Sequence, residues 1–468
     1  MLNCLVFLPP ADQSAVAASS PAPRHEKLAR QLGLFDATMV VMGGIVGSGI
    51  FINPYVVAQR VHTPLIIMAA WVAGGVVALL GAFIYAELAG RMPRVGGQYA
   101  YLREAYHPAV GFLYGWVLLL VIQCGGMAAV TITFARYFLE LTGWKISEAV
   151  VGAVTLLLLT VINCAGVKLG SRVQSALMVL RILAIAMLIA TGIWRVRAPH
   201  SLAGPALGQP ASPDLLMAFA AALIPVLFAY GGWQTANFIA AEIKEPRRNL
   251  SRALIIGVAG VALLYVSVNF VCLRALGAAG LANTRVPATA VMRLTLGQTG
   301  ATWIALGIAI STLGFLSQAI LTAPRVYFAM ADDKLFFPAV AYVSPRTRVP
   351  VVAIVLQSAW TMVIAISGRY EQILNYVVAM DFLFFGLTAT CLFVFRRRER
   401  RLEPEQAAGY RVPGHPLTTA VFIAACWLVV ANTIYRYPEN SLIGMAILLL
   451  GLPVYALWSI RQKRLVTA

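Results

Sequence analysis

A succession of apolar segments, each about 20 residues long, constrains this chain more than any other feature. That length is what an α-helix needs to cross roughly 30 Å of hydrocarbon. Because the bilayer core offers no water, each spanning segment must satisfy its own backbone N–H and C=O groups, as an α-helix does. We therefore predict an all-α membrane protein with twelve transmembrane helices. They are expected near residues 37–59, 64–89, 108–138, 147–165, 172–194, 214–240, 253–273, 300–328, 350–367, 371–395, 417–433 and 441–460.

The segments that connect these helices are basic. Only 12% of the 468 residues are charged and the formal net charge is +18, whereas a soluble protein carries about 25% charged residues. The positive charge is expected to contact anionic lipid, and no soluble part is long enough to bind nucleic acid. About 25 of the 36 Lys and Arg residues lie on the side of the N-terminal tail. This excess predicts a multi-pass protein of the cell (inner) membrane with both termini in the cytoplasm.

The composition of the chain separates an N-terminal tail from a transmembrane domain. Residues 1–32 are rich in Pro, Ala, Ser and basic residues, and we predict a disordered cytoplasmic tail there. Residues 33–468 are predicted to form one transmembrane domain. Five of the six cysteines fall in apolar spans and no C-x-x-C pattern occurs, which favours isolated buried thiols over disulfides or a metal site.

A membrane-embedded enzyme and a sensor are both disfavoured by the sequence. The five histidines lie in the tail, the loops or the ends of spans, so no catalytic cluster, metal site or cofactor is expected. A sensor that binds without transporting would need an output domain, and no soluble segment is long enough to form one.

Two of the apolar spans are interrupted by glycine. The first interruption is Gly43–Phe51 and the second is Phe228–Gly232. Each glycine in a helix interior costs about 1 kcal/mol relative to alanine, and broken backbone survives in a bilayer only where it is buried in protein or lines a cavity. Two broken helices in corresponding halves of a chain are typical of a transporter binding site.

The broken helices expose backbone groups of both polarities. The helix that restarts after the first break offers N–H donors and partial positive charge, a suitable site for a carboxylate. The helix ends before the breaks offer carbonyls, which suit an ammonium group. Together they match a zwitterion such as an α-amino acid. The predicted donors are Ser48, Gly49 and Ile50, and the predicted acceptors are the carbonyls of Ile45, Phe228, Ala229 and Gly231.

Three other glycines complete the predicted binding residues. Gly47 and Gly232 belong to the two breaks, and Gly126 leaves room for a substrate in the third span. The alternative for the first break is that Gly43-x-x-x-Gly47 is a close-packing face between helices.

Several sequence motifs resemble the amino acid–polyamine–organocation superfamily. Gly47–Phe51 resembles its first-helix motif, and Phe228–Trp233 followed by Glu242–Pro246 is similar to the sixth helix of its L-type amino acid transporters. Tyr85–Leu88 with Pro93, Gly96-Gly97 and Tyr99–Tyr101 matches the second helix and following loop, and Tyr410–Pro416 resembles the segment before the eleventh helix. The resemblance extends from about residue 33 to about residue 460.

The resemblance implies a leucine-transporter-type fold that works by alternating access. Such a fold has an inverted 5+5 helix repeat with discontinuous helices 1 and 6. Here the repeats would cover about 37–194 and about 214–395, followed by two extra helices at about 417–460. The aromatic side chain at the Phe228 position lies over the substrate as a gate in that family.

Arg181 departs from the family pattern. The resemblance places a lysine at this point of the fifth helix, where sodium binds in sodium-coupled relatives, and Ser311 and Thr312 correspond to sodium-ligating hydroxyls. Arginine keeps its charge at any relevant pH, so Arg181 as a surrogate cation argues against sodium coupling. The alternatives are that Arg181 extends to a membrane interface and that the hydroxyls only bond backbone carbonyls.

Other polar residues in the spans carry weaker predictions. Glu87 and Glu242 are expected to pair with loop arginines on the cytoplasmic side. Asp381 is expected either to bind a cationic substrate or to pair with Arg181, and the sequence does not decide between these.

The sequence thus predicts a secondary transporter of neutral L-amino acids that works by sodium-independent exchange or facilitated transport. The alternative is a proton-coupled importer of cationic amino acids or polyamines with Asp381 as the acid. The expected partners are the amino acid and membrane lipid. The loop from Glu140 to Glu148 contains no cysteine, so no disulfide-linked heavy chain is expected, and the protein is predicted to be a monomer or a weak homo-oligomer.

Overall fold

The computed structural model describes residues 30–197, 199–201, 213–367, 370–399, 410–436 and 438–467. Residues 1–29 of the predicted tail lie outside the described residues. Within these ranges the chain forms sixteen α-helices. They are α1 (Leu34–Ile45), α2 (Gly49–Ala58), α3 (Pro64–Arg91), α4 (Gln98–Ala105), α5 (Pro108–Val117), α6 (Gln123–Thr142), α7 (Glu148–Cys164), α8 (Val167–Trp194), α9 (Pro213–Tyr230), α10 (Pro246–Ala282), α11 (Pro287–Thr322), α12 (Pro324–Asp332), α13 (Val351–Ser367), α14 (Tyr370–Glu399), α15 (Leu417–Arg436) and α16 (Pro438–Thr467).

The all-helical prediction is confirmed. In the described part of the chain, ten helical stretches are long and apolar enough to cross a membrane, and the shorter apolar helices Glu148–Cys164 and Val351–Ile366 lie among them. The number of twelve spans therefore remains a prediction. The predicted span 300–328 contains a boundary: α11 ends at Thr322 and α12 begins at Pro324. Proline at the first position of a helix lacks the N–H that an uninterrupted helix would use.

Proline begins several of the long helices. Pro64, Pro108, Pro246 and Pro287 each occupy the first turn of a helix, where the missing N–H is not needed. Proline inside α9 has a different effect. Pro225 has no N–H for the carbonyl four residues earlier, and that carbonyl, on Ala221, accepts a hydrogen bond from the Arg60 side chain instead.

The broken helices lie at the centre of the bundle. α1 packs against α8, α10 and α11, and α2 packs against α9 and α10. Close packing depends on small residues at the contacts, as is usual between membrane helices. For example, a Cβ atom at Gly81 would stand 2.6 Å from the Trp233 ring, and one at Gly74 would stand 3.1 Å from Tyr230.

Ion pairs gather on the side of the molecule where α3 and α14 end. Glu87 is fully buried, with its carboxylate 2.6 Å from Arg91 and 2.7 Å from Arg396. The backbone N–H of Val412 donates to the same carboxylate over 2.6 Å. The predicted pairing of Glu87 with arginine is confirmed, although its partners stand at helix ends rather than in loops.

Glu242 forms a second, fully buried pair. Its carboxylate accepts hydrogen bonds from Arg325 over 2.7 and 3.3 Å, and both side chains have 0% exposure. The backbone N–H groups of Gln31 and Leu32, which the sequence assigns to the tail, donate to the Glu242 carbonyl over 2.9 and 3.0 Å. The predicted pairing is confirmed here too, with the arginine on α12. The end of the tail segment is thereby attached to the sixth apolar span.

Candidate binding site

The first interruption falls where the sequence predicts it, over fewer residues. α1 ends at Ile45, Val46 has extended backbone (φ −75°, ψ 95°), and α2 begins at Gly49. The helix continues through Gly43 and Gly44. The absence of side chains at these two residues allows neighbouring groups to pack closely against it. A Cβ atom at Gly43 would collide with the Gln174 amide. Gly43 therefore fits the packing interpretation, whereas Gly47 and Gly49 line the cavity. Gly44 does both.

The second interruption is a glycine turn followed by a tighter helix. α9 ends at Tyr230, and Gly232 has a φ of +99°, a conformation that side-chain-bearing residues rarely adopt. A 3₁₀ segment, Trp233–Glu242, follows, and Ile239 inside it has non-helical backbone. The predicted break at Phe228–Gly232 is thus confined to its last two glycines.

The two breaks touch each other. A Cβ atom at Gly232 would collide with the Gly44 backbone, so only glycine permits this approach. The hydroxyl of Tyr265 on α10 lies 3.2 Å from the carbonyl oxygen of Ile45 and 3.2 Å from that of Ala229. One tyrosine therefore connects the ends of both half-helices.

The breaks open on one cavity with a volume of about 80 Å³. It is lined by all the predicted binding residues except Ile50, which is fully buried inside the bundle. The predicted members that line it are Ile45, Gly47, Ser48, Gly49, Gly126, Phe228, Ala229, Gly231 and Gly232.

Other parts of the cavity wall were not assigned to the site by sequence reasoning, except that Asp381 was one of two alternatives as the binder of a cationic substrate. The polar members among them are Gln123, Gln234, Thr235, Gln318 and Asp381. Three of these, Gln123, Gln318 and Asp381, are polar residues within apolar spans. That position in the sequence could have indicated that they face the cavity. The remaining members are Gly44, Ile122, Val130, Leu227, Phe315, Val377, Val378 and Phe382. The spacing of the apolar ones does not distinguish them from ordinary core residues.

The carbonyls near the breaks already accept hydrogen bonds from the protein. Ile45 and Ala229 share the Tyr265 hydroxyl, and the Phe228 carbonyl accepts from the N–H of Gly231 over 3.1 Å. Each carbonyl oxygen retains a second lone pair. A bound ammonium group would therefore share these acceptors with the protein.

The N–H groups at the first break differ from these carbonyls in their hydrogen bonding. The first turn of a helix has N–H groups without intrahelical acceptors. Among the described residues, none accepts a hydrogen bond from the N–H of Ser48, Gly49 or Ile50. Ser48 and Gly49 line the cavity, so a ligand carboxylate can reach this helix terminus.

Arg181 lies fully buried against the first break and does not line the cavity. Its guanidinium donates to the carbonyls of Gly43, over 3.4 Å, and of Val46 and Ser311. The side chain does not extend to a membrane interface. The Arg181 guanidinium is therefore itself the cation that backbone carbonyls bond at the unwound end of α1.

The two α11 hydroxyls beside Arg181 bond backbone carbonyls. Ser311 Oγ donates to the Gly47 carbonyl over 3.4 Å, whereas Thr312 Oγ1 donates within its own helix to Ala309 over 2.8 Å. The structure thus brings Arg181 and Ser311 together at the first break and directs Thr312 elsewhere.

Asp381 lies on α14 and lines the cavity. The predicted alternative of an ion pair with Arg181 is not formed, because the Arg181 guanidinium donates instead to the carbonyls of Gly43, Val46 and Ser311. A Cβ atom at Gly231 would stand 3.9 Å from Asp381 Oδ2. The carboxylate therefore faces the second break.

A short polar chain also reaches the second break. Gln318 Nε2 on α11 donates to Thr235 Oγ1 over 2.6 Å, and Thr235 Oγ1 donates to the Gly232 carbonyl over 2.7 Å. Taken together, the cavity offers N–H groups, carbonyls, amides and one carboxylate between apolar walls. Within the described ranges, no group of three or more His, Cys, Asp or Glu side chains could hold a metal ion.

Sequence comparison finds relatives that match nearly the whole chain. The family model described as "Amino acid permease" matches residues 32–454. The serine/threonine exchanger SteT of Bacillus subtilis is 31% identical over 432 residues, covering 92% of this chain and 96% of the exchanger. The large neutral amino acids transporter small subunit 2 of Mus musculus is 28% identical, covering 97% of this chain and 86% of that protein.

A third relative comes from a different transporter type. The human b(0,+)-type amino acid transporter 1 is 29% identical, covering 94% of this chain and 90% of that protein. The resemblance seen in the sequence motifs is confirmed by these matches.

Proposed function

Because this chain belongs to the amino acid permease family, we propose that it is a secondary transporter of neutral L-amino acids. The single observation that carries the proposal is the cavity on which both broken helices open. A zwitterion has opposite charges on neighbouring groups, and the cavity offers free N–H groups on one wall and carbonyls on another. The names of the relatives, which are amino acid transporters and exchangers, support the same function.

The substrate carboxylate would bind at the N-terminus of α2. The backbone N–H groups of Ser48 and Gly49, with Ile50 behind them, carry the partial positive charge of that helix end. The substrate ammonium would lie against the carbonyls of Ile45 and Ala229, whose Tyr265 hydrogen bonds leave lone pairs available. The aromatic ring of Phe228 lines the cavity and would act as the gate over the bound amino acid.

We propose that Arg181 takes the place of a coupling cation. It supplies one fixed positive charge to carbonyls at the first break, and arginine stays protonated at any relevant pH. A sodium ion in this position would be repelled by the guanidinium and would find its carbonyl ligands occupied. Transport would then be sodium-independent exchange or facilitated passage, with Ser311 as part of the same carbonyl-bonding group.

The proposal extends to the number of spans, the orientation of the termini and the oligomeric state. Ten long apolar helices and two shorter ones are consistent with twelve spans in a leucine-transporter-type 5+5 repeat. Both termini would lie in the cytoplasm and the membrane would be the cell (inner) membrane, in line with the basic excess on the tail side. The chain would work as a monomer or weak homo-oligomer without a disulfide-linked heavy chain.

Counterflow in proteoliposomes tests the proposal. The purified full chain would be reconstituted with a panel of internal and external amino acids, and sodium and proton gradients would be varied separately. We expect uptake of neutral amino acids that depends on internal amino acid and not on either gradient. Strict sodium dependence would overturn the proposal for Arg181, and the absence of any amino acid counterflow would overturn the proposed function.

A second candidate function rests on the carboxylate in the cavity. Asp381 lines the site, which favours a proton-coupled importer of cationic amino acids or polyamines. In the same assay this function would give uptake of lysine, arginine or polyamines that follows the pH gradient. No acidic residue lies in either break, so the neutral substrate remains the first proposal.

A further inference from the structure

Asp381 is the one acidic side chain among the residues that line the described cavity. It projects from α14 on the face that also carries Val377, Val378 and Phe382, a spacing that places these residues along one side of a helix. Gln123 and Gly126 of α6, which packs against α14, line the same cavity. This wall of α6 and α14 adjoins the second break, because Asp381 Oδ2 would stand 3.9 Å from a Cβ atom at Gly231.

The Asp381 carboxylate has no partner in the described part of the protein. None of the hydrogen bonds and ion pairs formed by the described residues involves it, whereas Glu87 and Glu242 are both paired with arginine. An unpaired carboxylate inside a membrane domain is costly, and such residues usually mark substrate or ion pathways. We therefore look for the hydrogen-bond partner of Asp381 in the substrate that enters the cavity.

The charge balance of the site indicates what kind of group this partner is. Arg181 contributes one positive charge behind the first break, and Asp381 in its ionised form would contribute one negative charge in the cavity, so that the two would sum to zero. A zwitterion with a neutral side chain leaves this balance unchanged. A side chain with a hydroxyl group can donate a hydrogen bond to the carboxylate without adding charge.

The cavity also limits the length of the side chain. Its volume of about 80 Å³ is far below the roughly 300–1,000 Å³ of pockets that hold drug-sized ligands, which favours a short side chain. A Cβ atom at Gly126 would meet nothing within 4 Å, so the free space lies beside the α6–α14 wall. That is where a short side chain would extend.

We propose that Asp381 is a specificity-determining residue that accepts a hydrogen bond from a short, neutral substrate side chain. The inference rests on the proposed amino acid transport and assigns the α6–α14 wall as its side-chain subsite. The chemical class is an amino acid with a hydroxyl or similar donor close to its Cβ atom. Apolar amino acids of equal size would bind the head-group site and leave the carboxylate without a donor.

The test compares threonine with valine, which have nearly the same shape and differ in the hydroxyl group. Counterflow in proteoliposomes would be measured for the wild type, Asp381→Asn and Asp381→Leu, with the amount of folded protein fixed by size-exclusion chromatography and thermal unfolding. A hydrogen bond to a charged group corresponds to a preference of about tenfold to a hundredfold. A site built for such a bond rejects analogues that lack the donor.

We expect the wild type to prefer threonine over valine by about tenfold or more. Asp381→Asn, which keeps an acceptor oxygen, should reduce the preference to a few-fold. Asp381→Leu should remove or reverse it while valine uptake persists. Serine and α-aminobutyrate, which form a second matched pair, should follow the same order.

Three results would overturn the inference while leaving amino acid transport in place. The first is an unchanged threonine-to-valine ratio in Asp381→Leu. The second is an equal loss of every substrate in a folded Asp381→Leu protein, which would assign the carboxylate to the ammonium group or to the structure. The third is a wild-type preference for lysine or ornithine over threonine. Absence of counterflow with every amino acid would instead contradict the proposed function itself.

Discussion

The two broken helices differ in which groups donate hydrogen bonds to the backbone carbonyls at their breaks. At the first break a buried guanidinium, that of Arg181, donates to the carbonyls of Gly43 and Val46, and the Ser311 hydroxyl donates to Gly47. At the second break the donors are neutral: the Tyr265 hydroxyl, the Thr235 hydroxyl and a backbone N–H group. The first break thus has a charged donor in addition to neutral hydroxyls, whereas the donors named at the second break are all neutral.

The segments that follow the breaks differ as well. The first break leads into an α-helix, α2, whereas the second leads into the 3₁₀ segment Trp233–Glu242. Hydrogen-bond geometry in a 3₁₀-helix is poorer than in an α-helix. We therefore expect the second break to rearrange more readily during transport and the first to keep its geometry. The following variants test that difference.

The largest effect is expected for Gly232→Ala. The new Cβ atom would stand inside the Gly44 backbone, at a residue with φ of +99°. Left-handed backbone alone costs an alanine about 1–2 kcal/mol, and the collision adds to it by forcing the breaks apart. We expect little folded protein in size-exclusion chromatography of the detergent extract, and no counterflow from what remains.

Gly126→Ala is the matched control for this variant. Gly126 also lines the cavity, but its Cβ atom would meet nothing within 4 Å. This variant should therefore yield folded protein in wild-type amounts. Equal yields of folded protein for the two variants would contradict the close approach of the breaks.

A slightly smaller effect is expected for Arg181→Met. Three buried carbonyls would lose a charged donor, and each lost hydrogen bond to a charged group is worth about 1.5–3 kcal/mol. We expect a clearly lower thermal unfolding temperature and a loss of counterflow of at least about tenfold.

Arg181→Lys separates the charge from the geometry. A lysine in this position retains the charge when protonated and can release its proton when buried. The lysine variant should recover folding and gain transport that depends on pH. Wild-type pH independence in a fully active lysine variant would show that the guanidinium is not a fixed substitute for a coupling ion.

Phe228→Ala should affect transport more than folding. The ring lines the cavity at the end of α9 and is only partly buried, so its removal leaves most of the core intact. We expect counterflow to be abolished while the unfolding temperature changes little. Wild-type kinetic constants for this variant would remove Phe228 from the gate.

The smallest effect is expected for Tyr265→Phe. The variant removes only the hydroxyl that joins Ile45 and Ala229, and a neutral hydrogen bond contributes about 0.5–1.5 kcal/mol, which corresponds to about twofold to tenfold in transport. The substrate ammonium can take over part of its role at both carbonyls. The apparent affinity for the amino acid, measured by counterflow, should therefore change more than the unfolding temperature. The reverse order would show that the hydroxyl serves the fold and not the binding site.

Much of the candidate site could be found before the structure was known, because it is built from backbone. The glycine clusters at Gly47–Gly49 and Gly231-Gly232 break the apolar pattern locally, and sequence shows local breaks directly. The walls contributed by α11 and α14 were missed, apart from Asp381 as a possible binder of a cationic substrate. Phe315 and Phe382 look like ordinary core residues, because a residue in an apolar span carries no sign of whether it faces a cavity or a neighbour.

The sequence by itself determined the helical membrane fold, the two interruptions and the presence of a cation in the fifth apolar span, because hydropathy and glycine content act on each segment separately. Only the tertiary structure decided what those features touch. It directed Arg181 to the carbonyls of the first break and left Asp381 facing the cavity. Partners distant in the chain meet only when the helices pack, and the packing geometry is not encoded in any one segment.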